Sequence, residues 1–195
     1  MSNPARIRRL ENDFRILMNI SQKSKYISIE PKEGNPPYKY LITYNVPGYI
    51  SQSGSTCNTH YVDIYLPEGY PIQEPPRFHF RENLWHPNVF PGGDVCLGLT
   101  EKNWSFGFDI DQLVYDIGNM IRFSLESINL DSLAQMTLEK SGWESWMRKH
   151  KIPLADIDFN VSDVPVVKIK EQKKIDIKIK GKKEKLTKIK IREIN

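Results

Sequence analysis

The sequence has few cysteines, and they form no pattern that would cross-link the chain or bind a metal. Only Cys57 and Cys96 occur among 195 residues. A small secreted domain held by disulfides usually carries more cysteines than two. The lack of a Cys-x-x-Cys pair argues against a zinc site. We therefore expect two free thiols in a reducing compartment, and a cytoplasmic protein.

Long apolar segments are also missing. No run of apolar residues approaches the 18 or so that a membrane-spanning helix requires. The N-terminal stretch MSNPARIRRLENDF is charged and lacks the apolar core of a signal peptide. We expect no association with a membrane.

Basic charge is scarce in most of the chain and concentrated at its end. From Lys168 onward there are twelve Lys or Arg and four acids, whereas the other 167 residues hold sixteen basic and twenty acidic groups. The sequence therefore predicts a globular domain over residues 1–152 and a basic, Lys/Ile-rich extension over 153–195, either a hairpin or a flexible tail. The extension could bind nucleic acid, but only as an added activity.

The first half of the chain predicts a helix followed by strands. Asn3-Pro4 is typical of a helix start, and an apolar stripe follows at helical spacing, with arginines on the outer face. Short alternating segments then predict four strands in an antiparallel meander, and so an α+β fold. These strands are expected at Tyr26 to Glu30, Tyr38 to Val46, Val62 to Leu66 and around Phe78 and Phe80.

The second half predicts a long loop and two helices. Residues 81–108 show no periodicity but contain many apolar side chains, which favours an ordered loop packed on the core. Asp109 is expected to cap a helix that continues through Ile121. A further helical stretch is predicted from Asp131 to about His150, interrupted at Gly142.

The stretch HPNVFPGGDVCLGL, residues 86–99, carries the chemistry. It places a thiol, Cys96, near the amide of Asn88 and the imidazole of His86. Acyl transfer requires a nucleophile and a hydrogen-bond donor for the developing oxyanion, and Cys96 and Asn88 could supply them. From the residues alone an inert, buried cysteine is the commoner alternative.

This stretch resembles the active-site segment of ubiquitin-conjugating enzymes. That family places a cysteine eight residues after the asparagine of a His-Pro-Asn triplet, as Cys96 follows Asn88 here. Further matches, at the expected places, are Tyr70-Pro71, Pro75-Pro76, Trp104 and Ile110. The resemblance covers residues 4 to 150. It implies the UBC-like fold: an N-terminal helix, a four-stranded antiparallel meander, a long active-site loop and C-terminal helices.

The resemblance also implies roles for single residues. Cys96 resembles the nucleophile that carries ubiquitin or a ubiquitin-like protein as a thioester, before transfer to an amine, usually a lysine. Asn88 resembles the residue that supports the oxyanion or orders the loop, and His86 one that holds the loop in place. Ser132 falls where the family keeps an acidic or serine gate residue, although it could equally be a helix cap.

Partner-binding residues follow from the same resemblance. Arg6, Arg8 and Arg9 match the helical face that the family offers to the activating enzyme, and the alternative is a solvated basic face. Ile72, Ser105 and Phe106 fall on the surface that resembles the ligase-docking site. There Ile72 replaces a frequent phenylalanine, and Ser105-Phe106-Gly107 replaces the usual Ser-Pro-Ala.

The implied reaction requires no cofactor or metal in this chain, because ATP is consumed by the activating enzyme. The implied partners are the modifier, the activating enzyme, an acceptor protein and, in some systems, a ligase. The alternative is a catalytically inactive variant that only binds ubiquitin-like proteins. A Cys-His protease is the weaker reading, because the surroundings of the cysteines and of the four histidines match no protease signature.

Overall fold

The computed structural model describes residues 3–98 and 107–159. The predictions made for Trp104, Ser105, Phe106 and the segment 160–195 lie outside these residues. The elements, in chain order, are α1 (Pro4–Lys23), β1 (Ile27–Gly34), β2 (Pro37–Tyr44), β3 (Gly48–Tyr49), β4 (Thr56–Cys57), β5 (His60–Tyr65), β6 (Arg77–Phe80), α2 (Ile110–Ile121), a 3-10 turn (Leu125–Ser127) and α3 (Lys140–Lys149).

Helix α1 starts where the sequence predicts. The Asn3 side chain accepts a hydrogen bond of 3.0 Å from the Ala5 N–H, and proline occupies the first helical position. Leu10, Leu17 and Ile20 turn toward the core. An acidic residue, Asp13, is buried on the same face, which the apolar stripe did not predict.

Four strands form one antiparallel sheet in the order β1-β2-β5-β6, which confirms the predicted meander. Its register aligns Ile29, Ile42, Val62 and Phe80 in one row across all four strands. All four side chains are buried. Because side chains alternate between the faces of a strand, this row fixes which face of the sheet packs on the helices.

The connection between β2 and β5 contains a small second sheet, β3 paired with β4. Its anchor is Tyr49, whose hydroxyl donates to the Lys151 carbonyl at 3.0 Å and whose ring meets Trp146 edge-on at 4.9 Å. Trp146 in turn donates its indole N–H to the Gln52 carbonyl at 2.7 Å. The hairpin is therefore docked on α3.

The two later helices differ in how well they match the prediction. Helix α2 follows Asp109 as expected and buries its apolar face. Helix α3, however, begins at Lys140, and the prediction of a helix from Asp131 is wrong. The backbone N–H groups of Ala134 and Gln135 donate to the Pro87 carbonyl instead, at 2.8 and 2.9 Å. No helix in the described ranges is both long and apolar enough to cross a membrane.

The packed part of the chain continues beyond residue 152. Ile157 and Phe159 are buried with the core, and the Phe159 ring fills the space over Gly118, where an added Cβ would come within 2.7 Å of it. The Leu154 N–H donates to the Arg122 carbonyl at 2.8 Å. Residues 153–159, which the sequence assigned to the extension, therefore pack on the domain.

Candidate active site

Cys96 lies on a short hairpin within the long loop. Its backbone N–H donates to the Asn88 carbonyl at 2.9 Å, and the Phe90 N–H donates to the Asp94 carbonyl at 2.9 Å. Residues Leu84 to Val89 on the first arm are buried, as expected for an ordered loop. The thiol residue is therefore held opposite Asn88, and its side chain is partly exposed.

The same hairpin is attached to the edge of the main sheet. The Phe80 N–H donates to the Gly93 carbonyl at 2.9 Å, and the Val95 N–H donates to the Phe78 carbonyl at 3.1 Å. Gly93 has φ +97°, and a Cβ there would collide with the Phe80 carbonyl oxygen. Only glycine fits this position without strain, so Gly93 allows the hairpin to approach β6.

The Asn88 side chain fastens a second segment to the loop. Its Nδ2 donates to the carbonyls of Asn129 and Ser132, each at 2.8 Å, and its Oδ1 accepts from the Asn129 N–H at 2.8 Å. Both Nδ2 hydrogens are thus engaged. The residue is almost fully buried. Two roles were predicted for Asn88, support of the oxyanion and ordering of the loop, and this geometry favours the second.

His86 is buried beneath this arrangement. Its Nδ1 accepts from the Asn88 N–H at 3.2 Å, which leaves the proton of the neutral ring on Nε2, a buried atom that has no partner within the described part of the chain. Burial lowers the pKa of His86 to about 3. The ring also packs against Phe123, with centroids 4.9 Å apart. A neutral, packed imidazole favours the structural interpretation of His86.

Ser132 is brought to the site by its backbone. Its carbonyl accepts from Asn88, whereas its side chain is exposed. The helix-cap alternative is wrong, because the next helix begins only at Lys140 after the N-cap residue Glu139. The gate role stays a prediction.

Cys57 lies on β4, in the hairpin between β2 and β5, and is not part of this hydrogen-bonded group. Its side chain is exposed, and its Sγ–H donates to the Thr59 carbonyl at 3.3 Å. Neither cysteine is in a disulfide. The structure therefore connects Cys96, Asn88, His86 and Ser132 through hydrogen bonds and leaves Cys57 apart from them.

The predicted basic face of α1 is only partly solvated. Arg6 donates to the carbonyls of Leu66 and Pro67 at 3.2 Å each, so it ties the helix to the end of β5. Arg9 pairs with Asp13 at 2.8 Å. Arg8 remains exposed. Of the three arginines, Arg8 is the one whose side chain is most open to a partner.

The buried carboxylate of Asp13 is a feature of this surface that the sequence did not predict. The Tyr70 hydroxyl donates to its carboxylate at 2.6 Å, and Arg9 also donates to the Phe108 carbonyl at 2.6 Å. Burial raises the pKa of Asp13 above its ordinary value, against the opposing effects of Tyr70 and Arg9. The spacing of Arg9 and Asp13, four residues apart on a helix, is the signal that could have shown this pair.

Ile72 and Phe108 are exposed apolar side chains on the Tyr70 and Arg9 side of the domain. Ile72 is 60% exposed and Phe108 is 39% exposed. Each is connected to the cluster of Arg9, Asp13 and Tyr70. Ile72 lies two residues after Tyr70, which binds Asp13, and the Phe108 carbonyl accepts a hydrogen bond from Arg9. A ligase-docking role for Ile72 stays a prediction.

Comparison with known proteins agrees with this fold. Residues 15–150 match the family model described as "Ubiquitin-conjugating enzyme". The chain therefore belongs to the ubiquitin-conjugating enzyme family. The UBC-like α+β fold predicted from the sequence is confirmed.

Curated relatives share stretches of about ninety residues with the chain. Ubiquitin-conjugating enzyme E2 27 of Arabidopsis thaliana is 35% identical over 86 residues, which are 44% of this chain and 42% of that protein. NEDD8-conjugating enzyme UBC12 of Kluyveromyces lactis is 28% identical over 98 residues, 50% of this chain and 47% of that protein. The matches thus span about half the length of these relatives.

A solved structure shows the same fold. Ubc12 of S. cerevisiae superposes with a TM-score of 0.54 at 18% identity, covering 79% of this chain and 76% of that one. At this identity the likeness bears on the fold alone.

Proposed function

We propose that the protein accepts ubiquitin or a ubiquitin-like modifier as a thioester on Cys96 and transfers it to an amine, usually of a lysine. The observation that carries the proposal is the position of Cys96. It is partly exposed on a hairpin that is held both to β6 and to Asn88. A nucleophile fixed in this way can meet a large incoming acyl group without disturbing the core.

The reaction consists of two acyl transfers. In the first, the Cys96 thiolate attacks the thioester carbonyl on the activating enzyme, whose own thiol leaves. In the second, the acceptor amine attacks the carbonyl, an amide bond forms, the Cys96 thiolate leaves and the amine proton passes to solvent. ATP is consumed before these steps by the activating enzyme, and this chain needs no cofactor of its own.

Asn88 acts in this proposal chiefly by ordering the site. Because both of its Nδ2 hydrogens bind carbonyls, it fixes the segment from Asn129 to Ser132 beside the Cys96 hairpin. Ser132 then stands at the edge of the site, where its exposed hydroxyl can meet the incoming acceptor. His86 supports Asn88 from below through the Asn88 N–H.

The proposed partners follow from the family and from exposed residues. The activating enzyme would be met through Arg8, and a ligase through Ile72, both of which are exposed. Relatives are named for both ubiquitin and NEDD8, so both modifiers are candidates. A reducing, cytoplasmic compartment would keep the Cys96 thiol available.

The proposal is tested by measuring whether the protein can be charged, that is, whether it forms a thioester with the modifier. The protein is incubated with ATP, ubiquitin and the ubiquitin-activating enzyme, and in parallel with NEDD8 and its activating enzyme. We expect an adduct that reductant removes, and that decays when free lysine is added. Binding of the modifier without an adduct in either system would instead support the inactive, binding-only alternative.

A further inference from the structure

Helix α2 is followed by a residue whose backbone conformation is unusual for its type. Phe123 comes directly after the C-cap residue Arg122 and has φ +59°, and it is the one residue other than glycine with a positive φ in the described part of the chain. Its N–H donates to the Met120 carbonyl at 3.0 Å, and the Ser124 N–H donates to the Asn119 carbonyl at 2.9 Å. These two bonds form a Schellman motif, whose left-handed position is usually occupied by glycine.

A phenylalanine is unfavourable at this position, because its Cβ crowds the backbone in the left-handed region. Glycine would end the helix without that strain. Strained residues persist where the surrounding contacts fix them, and they are concentrated at functional sites. The side chain of Phe123 should therefore have a use that the ending of the helix does not explain.

The Phe123 side chain is buried beneath the candidate active site. It is 1% exposed, and its ring centroid lies 4.9 Å from that of His86. Tyr49 meets the same ring edge-on at 5.8 Å, and the Trp146 ring lies 5.4 Å from it. Phe123 thus joins the imidazole to the rings that hold the β3–β4 hairpin and α3 together.

Phe123 is connected to the site by two routes. Through space, its ring supports His86, whose Nδ1 accepts from the Asn88 N–H. Along the chain, it precedes the 3-10 turn that leads to Asn129 and Ser132, whose carbonyls bind the Asn88 amide. Its backbone therefore fixes where this segment begins, and its ring supports the loop to which the segment is bound.

We propose that Phe123 is a positioning residue for amine transfer, acting through His86 and Asn88 on the segment beside Cys96. This inference rests on the proposed function. Because Phe123 is buried, it touches neither modifier nor acceptor, so its loss should slow discharge by the same factor at every lysine concentration. Loading should be nearly unchanged, because the backbone bonds that hold the Cys96 hairpin to β6 do not involve this ring.

Two substitutions at Phe123 test this role. Phe123→Gly relieves the backbone strain and removes the ring, whereas Phe123→Leu keeps apolar bulk without the aromatic face. Phe159→Leu is the matched control, since Phe159 is also buried but packs over Gly118. Each protein is checked for folding by urea unfolding and charged with whichever of ubiquitin and NEDD8 the wild type accepts. Single-turnover discharge is then measured over a range of lysine concentrations.

We expect both Phe123 variants to discharge about 3- to 30-fold more slowly than wild type, and Phe159→Leu to discharge as wild type. If Phe123 only ended the helix, Phe123→Gly would discharge normally. In an Asn88→Ala background the Phe123 substitutions should have no further effect, because both residues act on the same segment. Should Phe123→Gly not fold, the comparison of Phe123→Leu with Phe159→Leu decides.

The uncharged protein gives a second readout. The 15N resonance of His86 Nδ1 reports the hydrogen bond from Asn88, and we expect it to shift in the Phe123 variants and not in Phe159→Leu. Unchanged discharge in a folded Phe123→Leu protein, an equal effect from Phe159→Leu, or an unmoved His86 resonance would overturn the inference. A wild type that forms no thioester would instead refute the proposed function, and the resonance would still show whether Phe123 positions the His86 ring.

Discussion

The hydrogen-bonding groups of the Asn88 side chain all bind backbone groups of the protein. Removal of this side chain should therefore disorder the site more than it impairs loading of the modifier. We expect Asn88→Ala to load nearly as wild type but to discharge to free lysine between about 10- and 100-fold more slowly. The reason is that the segment from Asn129 to Ser132 loses three hydrogen bonds, and small misplacements of groups at a reacting centre have effects of this size.

The measurement is single-turnover discharge of the pre-charged protein, with amide exchange at Asn129 as the readout of order. Asn83→Ala is the control, since Asn83 also donates to a carbonyl, that of Ile50, but on an exposed loop. Unchanged discharge in a folded Asn88→Ala protein would refute the ordering role.

His86 makes stability depend on pH. Its pKa falls from an unfolded value of 6.5 to about 3 because of burial. The unfolded chain therefore binds a proton that the folded chain excludes, and the stabilisation present above pH 6.5 is lost as the pH falls toward 3. At pH 5 we expect a loss of about 2 kcal/mol in the free energy of unfolding from this residue.

Urea unfolding of wild type and His86→Asn between pH 7 and pH 5 measures this loss. The asparagine retains an acceptor for the Asn88 N–H and does not titrate. Burial also lowers the pKa of His60, so the variant should keep a smaller slope of the same sign. Parallel slopes in the two proteins would show that His86 can be protonated without unfolding.

At the scale of elements, the Cys96 hairpin depends on one glycine. We expect Gly93→Ala to destabilise the protein by about 1–3 kcal/mol. The position has a positive φ, and the added Cβ would meet the Phe80 backbone. Gly92→Ala, on the same turn but with no atom within 4 Å of its Cβ, should leave stability within about 0.5 kcal/mol. Urea unfolding compares the two, and equal effects would exclude this role for Gly93.

Helix α3 shows why a local run of apolar residues could mislead. One apolar cluster contains Leu133, Leu138, Trp143 and Trp146, but only the two tryptophans lie in the helix. The earlier residues pack from turns, because the Pro87 carbonyl takes the Ala134 and Gln135 N–H groups. The Pro87 carbonyl is some fifty residues away in sequence, so the local sequence around Ala134 could not reveal that it would bind these N–H groups.

At the scale of the whole molecule, the strand order followed from alternation and short connections, and the row from Ile29 to Phe80 bears it out. The His-Pro-Asn spacing likewise predicted that Asn88 and Cys96 belong together. Sequence could not predict that both Asn88 donors face Asn129 and Ser132, or that Asp13 is buried against Tyr70, because these contacts depend on how distant segments meet.

The domain limit is tested by two shortened chains. A chain ending after Asp163 should unfold with wild-type free energy and still accept the modifier. One ending after Ile152 loses the buried Ile157 and Phe159, and should be less stable by about 3–5 kcal/mol. Equal stability of the two shortened chains would place the end of the domain at residue 152. If the chain ending after Asp163 could not be charged, residues 164–195 would be needed for function.

The central claim is that Cys96, and not Cys57, carries the modifier. It is tested most directly by charging Cys96→Ala and Cys57→Ser proteins with ATP, activating enzyme and modifier, and by locating the adduct with intact mass and peptide mapping. The account predicts that Cys57→Ser still forms the reductant-sensitive adduct, that Cys96→Ala does not, and that Cys96→Lys traps a reductant-resistant amide. Charging of a folded Cys96→Ala protein, or an adduct mapped to Cys57, would contradict it.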